Sequence, residues 1–401
     1  MKRAAPHSCS STAGPWPWRE LSCWIVIAAA VWLTIAPQEG ARPDDNDDDG
    51  NRDGITIVLP PRLAAGENAS LAVLAADGKL LTGVTIALSS GTQVTTDASG
   101  RALFTVPPDA HVLLAHLAPA GAGVSQTPPI TGNASPKGVF GAIQAAMIVP
   151  GMPRSLQIAS LPPWVGVRDR FAIRGFGFSG DAAANKIFIN GHPRMVLASS
   201  SLALVVAGSA RTEPGPTTVV VQTKDAAASA TLTQLGVEMT RGPESLAPGK
   251  EGVLEFRVTG TDQPRALEVR NLSPDAIRLL RGNFQRMESS GGVQNTIAIA
   301  AQGLHNGDFS VDVRLARAVQ TPDVEAAKAL LEAVLARPDH NHDRRIIVWV
   351  GQLGEQDKIE SMTKQMEKTA NHTSDADTTA LIRAARNALR GTENQEELQR
   401  Y

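Results

Sequence analysis

At 401 residues the chain is too long for one ordinary domain and fits two to four. Hydrophobic residues at 42% can fill several cores, while 38 basic against 40 acidic side chains exclude the global basic excess of a nucleic-acid binder. The two cysteines, Cys9 and Cys23, both precede residue 24, which excludes disulfides, Cys-ligated zinc and thiol catalysis downstream.

Residues 21–36, LSCWIVIAAAVWLTIA, are apolar or small; Lys2, Arg3 and Arg19 precede them and an acidic stretch follows. That asymmetry predicts a cytoplasmic N-terminus and an exported remainder. A helix of this length reaches about 24 Å, short of a ~30 Å hydrocarbon core. Residues 1–41 are therefore read as a signal peptide or an N-terminal membrane anchor. The length favours the first, and the poor cleavage motif Thr34-Ile35-Ala36 before Pro37 favours the second. Trp16, Trp18, Trp24 and Trp32 fit an interfacial belt.

The stretch 44–54, DDNDDDGNRDG, lies in an acidic linker over 42–54. Asp45, Asp47, Asp49 and Asp53 stand at positions 1, 3, 5 and 9 of a calcium loop, with Gly50 at the turn. Thr56 replaces the bidentate Glu at position 12, and Arg52 stands where an apolar residue would pin the loop. The segment is read as a self-repelling spacer with no cofactor, a weak Ca2+ site being the alternative.

Over 55–130, Val84, Ile86 and Leu88 alternate with Thr85 and Ala87, and Ala102, Phe104 and Val106 repeat the period of two. Asp97-Ala98-Ser99-Gly100 is turn chemistry between such runs. The expected fold is a small antiparallel β-sandwich. With Thr96-Asp97-Ala98-Ser99-Gly100-Arg101-Ala102 running into Phe104, Val106 and Pro107, it resembles bacterial Ig-like and carboxypeptidase-regulatory-like modules. Residues 131–152, Gly- and Pro-rich with the apolar run AIQAAMIVP, are expected to be a linker.

Residues 153–237 place Pro162, Phe171-Ala172-Ile173, Gly175-Phe176-Gly177-Phe178, Ile187-Phe188-Ile189-Asn190-Gly191, Leu202-Ala203-Leu204-Val205-Val206 and Pro214-Gly215 before Thr218-Val219-Val220-Val221. In order and spacing this resembles the IPT/TIG module, which implies an immunoglobulin-like β-sandwich. Arg168-Asp169-Arg170 departs from the Gly-Asp or Gly-Gln usual before the first core strand.

Residues 244–318 predict a third β-rich module. Leu254, Phe256 and Val258 alternate with charges, as do Phe309, Val311, Val313 and Leu315, with turns at 289–292 and 305–308.

At Pro322 the period changes to helical, with Val324, Ala327, Leu330, Leu331, Val334 and Leu335 on one face. Thr321 is the expected N-cap and Pro322 the first helical residue; Ser374 and Gly391 are expected to bound the last helix. Residues 320–391 thus form three or four short helices, RIIVWVGQL being strand or helix, and 392–401 a polar tail. Their apolar faces are expected to cover the third module or a partner.

Catalytic motifs are weak. Gly175, Gly177 and Gly180 match G-x-G-x-x-G, but a strand follows where a dinucleotide site needs a helix. Asp339-His340-Asn341-His342-Asp343 reads as an interhelical loop rather than a metal site. No G-x-S-x-G, H-E-x-x-H, P-loop or kinase set occurs.

The fold expected is mainly β: tandem immunoglobulin-like β-sandwich modules followed by a small α-helical C-terminal region. The function expected is a non-enzymatic, exported cell-envelope protein that binds an envelope protein or surface polymer. It meets the membrane through residues 21–36 if they are uncleaved, and it binds no nucleic acid. The alternatives are a scaffold docking through its helical tail and a carbohydrate-binding accessory chain, for which an aromatic platform would be the mark.

Overall fold

The computed structural model describes residues 55–75, 77–118, 143–151, 154–209, 212–243, 246–306, 308–316, 323–340 and 343–390. The apolar segment 21–36, the acidic linker, Thr321, Pro322, His342, Gly391 and the tail lie outside them. The described residues form three immunoglobulin-like β-sandwiches and four helices.

The first sandwich contains β1 (Thr56–Val58), β2 (Arg62–Ala64), β3 (Asn68–Leu74), β4 (Thr85–Leu88), β5 (Gln93–Thr95), β6 (Arg101–Thr105), β7 (Val112–Leu117) and β8 (Gln144–Val149). One sheet pairs β1 with β3 and β3 with β6; the other runs β2-β8-β7-β4-β5. Ile57, Leu71, Ile86, Phe104 and Leu113 meet between them. Two expectations are corrected here. The apolar run assigned to the linker 131–152 is strand β8, buried over Gln144–Ile148 and paired with β7. The sandwich is also not wholly antiparallel, because β2 runs parallel to β8.

The second sandwich contains β9 (Gln157–Ser160), β10 (Trp164–Gly166), β11 (Phe171–Phe176), β12 (Lys186–Ile189), β13 (His192–Arg194), β14 (Val196–Ser199), β15 (Ala203–Val206), β16 (Gly215–Gln222) and β17 (Ala227–Arg241). Its sheets run β14-β15-β11-β9 and β13-β12-β16-β17-β10, with β10 parallel to β17. In immunoglobulin lettering this is D-E-B-A against C′-C-F-G-A′. The first sandwich has the same order without D.

A short repeat explains the shared parallel strand. Leu59-Pro60-Pro61 separates β1 from β2, and Leu161-Pro162-Pro163 separates β9 from β10. Proline donates nothing to a ladder, so strand A breaks there and the chain crosses to the other sheet as A′.

The third sandwich begins inside β17. That strand's second half pairs with β18 (Glu251–Thr259), and the sheet continues through β22 (Thr296–Gly303) to β20 (Ile277–Leu279). The opposing sheet is β21-β19-β23, with β19 at Ala266–Asn271, β21 at Phe284–Glu288 and β23 at Val311–Leu315. With β21 set aside as an inserted edge, the order is A-B-E-D against C-F. No strand takes the A′ or G place among the described residues.

The modules are fused. β17 runs without a break across the boundary expected at 237–244. Ser70 of β3 bridges Ser199 of β14, so one sheet continues from the first module into the second. Val58, Ala72, Leu74, Leu197, Ala198 and Val205 form a separate apolar cluster at that junction. Arg101 also donates to the Val196 carbonyl from Nε and Nη2 at 3.0 and 2.7 Å.

The helices are α1 (Val324–Leu335), α2 (Arg344–Gln352), α3 (Ile359–Asn371) and α4 (Ala376–Leu389). Carboxylates cap three of them. Asp323 accepts from the Ala326 N–H at 3.1 Å, which moves the start of α1 past Thr321 and Pro322. Asp343 accepts from Arg345 N at 3.0 Å. Asp375, not Ser374, accepts from Thr378 N at 3.0 Å.

The apolar faces cover the first sandwich rather than the third. Leu330, Leu331, Val334, Met366 and Leu381 pack in one cluster with Leu114, Ala145 and Met147 of β7 and β8. Each fully buried side chain of this size contributes roughly 1.5–3 kcal/mol, which is what short helices need, being marginal alone in water.

Burial pushes the Asp375 carboxyl up, but the Thr378 hydroxyl and N–H and the Arg337 guanidinium outweigh it and hold the pKa below the ordinary value. The folded pKa is thus below the unfolded one. Its stabilisation is complete above about pH 4 and is lost as pH falls through the lowered folded value. Asp375→Ala should cost about 1 kcal/mol at pH 7 and weaken the acid dependence of stability, as read by urea unfolding at several pH values. An unchanged acid limb would contradict this.

A candidate binding cleft at the junction of the sandwiches

The described residues include an open cleft of about 880 Å³ where the three sandwiches meet, within the size range of ligand sites. The first module contributes Thr56 and the loop Asp77–Leu80; the second contributes the turn Gly166–Arg170, Met195 and Leu197; the third contributes Val237 and Asp312–Leu315.

Backbone geometry shapes its walls. Val167 donates to the Leu235 carbonyl and Asp169 to that of Gly166, both at 2.9 Å, which turns the chain tightly after β10. Gly208 lies against the Arg168 carbonyl group and the Asp169 N–H, where a methyl group would find no room.

The lining mixes Lys79, Arg168, Arg170 and Arg314 with Asp77, Asp169 and Asp312. Lys79 lies 2.6 Å from Asp77, and this hydrogen bond holds the aspartate below its ordinary pKa. Arg314 lies 2.7 Å from Asp312. Arg168 is exposed, with no ion-pair partner among the described residues. Leu197 and Leu235 supply apolar floor. Such a surface can hold an extended polar ligand by charge and shape.

The residues singled out by sequence do not gather here. Asp45, Asp47, Asp49 and Asp53 lie outside the described residues. Asp343 is a helix cap, and among the described residues no three His, Cys, Asp or Glu side chains come together as metal ligands. The glycine trio is structural. Gly177 has φ +70°, and a Cβ there would sit 2.7 Å from the Arg154 carbonyl and the Leu156 nitrogen. Gly175 abuts the Gln157 carbonyl, and Gly180 the Asn68 carbonyl of the first module. A short 3-10 turn, Ala182–Ala184, and then β12 follow, so the long helix of a dinucleotide site is absent.

Trp164 is half-buried against the third core, with the Arg265 guanidinium 5.4 Å from its ring centre. It is therefore no open platform for a sugar.

Sequence reasoning missed a charge cluster beside β2. Arg62 donates from Nε to Asp323 Oδ2 at 3.2 Å and again from Nη2, and Arg174 Nη1 stands 3.6 Å from the same oxygen. One carboxylate thus ties the first sandwich, the second sandwich and α1. No sequence pattern links residues 261 positions apart.

No protein-family model and no curated protein matches the chain. Solved structures overlap it loosely. One is SGBP-B of the Bacteroides ovatus mixed-linkage glucan utilization locus, in complex with a mixed-linkage heptasaccharide. It shares 14% identity over 64% of this chain and 73% of its own, at a TM-score of 0.26. An auxiliary nutrient binding protein from Bacteroides thetaiotaomicron shares 12% identity over 42% and 45%, at 0.19. Chicken CNTN1 FN1-FN3 domains share 10% identity over 65% and 94%, at 0.18. At such TM-scores these likenesses carry no argument about binding.

Proposed function

We propose that the chain is an exported, non-enzymatic cell-envelope protein whose fused sandwiches, of which 153–237 is an IPT/TIG-type module, bind an envelope protein or surface polymer in the junction cleft. The observation that carries this reading is that loops and strands of all three modules build one concavity, held by shared sheets. Binding residues on loops work when a rigid scaffold positions them. Export rests on residues 21–36 and the charges before them. The acidic linker 42–54 is read as the spacer that carries the array outward.

The carbohydrate-accessory alternative is weakened by the packed position of Trp164. The docking-tail alternative is weakened because the apolar faces of α1 and α4 are spent on the first sandwich, although Ile347 and Val348 of α2 stay exposed.

Position-specific photocrosslinking in the full chain, in its native host, tests the proposal. A crosslinker at Met195, half exposed on the cleft rim, should form a discrete adduct with an envelope component. One at Val293, fully exposed on a turn outside the cleft lining, should not. Equal labelling at both positions, or none at Met195, would refute the cleft as the binding surface.

A further inference from the structure

In the first two sandwiches, strand G pairs with F and with A′, and together they close one side of the barrel-like cross-section. β8 does so between β7 and β2; β17 does so between β16 and β10. In the third sandwich β23 stands in the F place and, among the described residues, pairs with β19 alone. Its hydrogen-bond phase can be read from the flanks. Ala316 N donates to the Ala266 carbonyl, and Leu272 N donates to that of Ser310. Even-numbered residues of β23 therefore face β19, and Val311, Val313 and Leu315 turn their N–H and C=O groups outward. Among the described residues, none of these groups has a backbone partner.

That edge faces the junction cleft. Four consecutive residues, Asp312 to Leu315, line it, although their side chains alternate between the two faces of the sheet. Only a strand seen edge-on presents both kinds at once. On the far side of the gap Val237 of β17 is likewise open, because β10 ends at Gly166 and the last bond on that edge is Val167 N to the Leu235 carbonyl. Val237, Val311 and Val313, only partly buried, lie at the margin of the third core.

We propose that the cleft receives an extended strand from a partner polypeptide, which pairs antiparallel with β23 in the G place that no described strand takes. This rests on the binding reading above and names its occupant. Main-chain bonds to Val311, Val313 and Leu315 would hold the strand, and pockets at alternate positions would select it. Inward positions want apolar residues, to cover Val237 and Val313. Outward positions want acidic ones. Lys79 and Arg314 are paired with Asp77 and Asp312, which leaves Arg168 exposed on the rim with no ion-pair partner among the described residues.

The test uses the full chain and a fluorescent peptide of alternating Val and Asp or Thr, with two controls: a composition-matched peptide with its valines clustered, and the alternating peptide N-methylated at every second amide. The alternating peptide should bind saturably, and N-methylation along the pairing edge should weaken it at least tenfold. Val313→Pro removes an outward donor while leaving the ladder to β19 intact, and should also weaken binding at least tenfold. Arg168→Glu should weaken it several-fold. Absence of saturable binding up to about 1 mM, or binding indifferent to N-methylation, would overturn the proposal without any variant having to fold. A dimer of the full chain that Val313→Pro converts to monomer would overturn it in favour of a second copy. If Met195 crosslinks to an envelope component while the peptide fails to bind, the strand proposal falls and the binding reading stands.

Discussion

Asp323→Ala should destabilise the protein by about 3 kcal/mol or more, read as a shift in the urea midpoint. Breaking a buried pair by removing one partner leaves an uncompensated charge, at about 3–5 kcal/mol. The Asp323 side chain is only 7% exposed, whereas Arg174 is 17% and Arg62 30% exposed, so solvent relieves part of the loss and the lower figure is expected. The α1 cap goes with it, about 1 kcal/mol. Asp323→Asn should recover that cap but not the charge pairing, and so fall between wild type and Ala. A loss under about 1 kcal/mol for the Ala variant would mean the cluster does not join the modules.

Gly180→Ala should cost about 1–3 kcal/mol, the range for forcing an extra methylene into a packed site. The added methyl group meets the Asn68 carbonyl and carbon, which are backbone of the neighbouring sandwich and cannot swing away. Gly177→Ala should cost about 1 kcal/mol or more, through its φ of +70° and the Arg154 carbonyl 2.7 Å from the new carbon. Gly351 supplies the control: it lies in α2, where an added methyl group would meet nothing within 4 Å. Gly351→Ala should leave stability unchanged or raise it by up to about 1 kcal/mol. Thermal melts of the three variants would separate these cases, and a neutral Gly180→Ala would contradict the close approach of the two modules.

Much of the fold was legible because strand alternation is local. Ile86 and Leu88 are buried while Thr85 and Ala87 are half-exposed, as the period of two requires. Leu254, Phe256 and Val258 repeat this in the third module. The helical face of Leu330, Leu331 and Val334 was legible for the same reason. Strand β8 was not. Ala145–Val149 is a continuous apolar run with no alternation, and burial on both faces, against the sandwich core and the helices, erases the period. The Leu-Pro-Pro repeat was visible at 59–61 and 161–163, but its meaning needs the parallel pairing that each copy introduces.

By itself the sequence determined what neighbours along the chain can decide: the alternating strands, the helical period from Val324, turn positions, the glycine-rich turn at 175–180 as a non-helical element, and the charge asymmetry around residues 21–36, while it left RIIVWVGQL, which is α2, open between strand and helix. These depend on side-chain period, backbone freedom and local charge, all carried within a dozen residues. Tertiary structure alone decided which module the helices cover, that β17 belongs to two sandwiches, that Asp323 meets Arg62 and Arg174, and that β23 presents an open edge to a cleft. An apolar helix face specifies that it must be buried but not against what, because hydrophobic attraction is non-directional. An unfilled strand place is a property of pairing, which exists only once distant segments have been brought together.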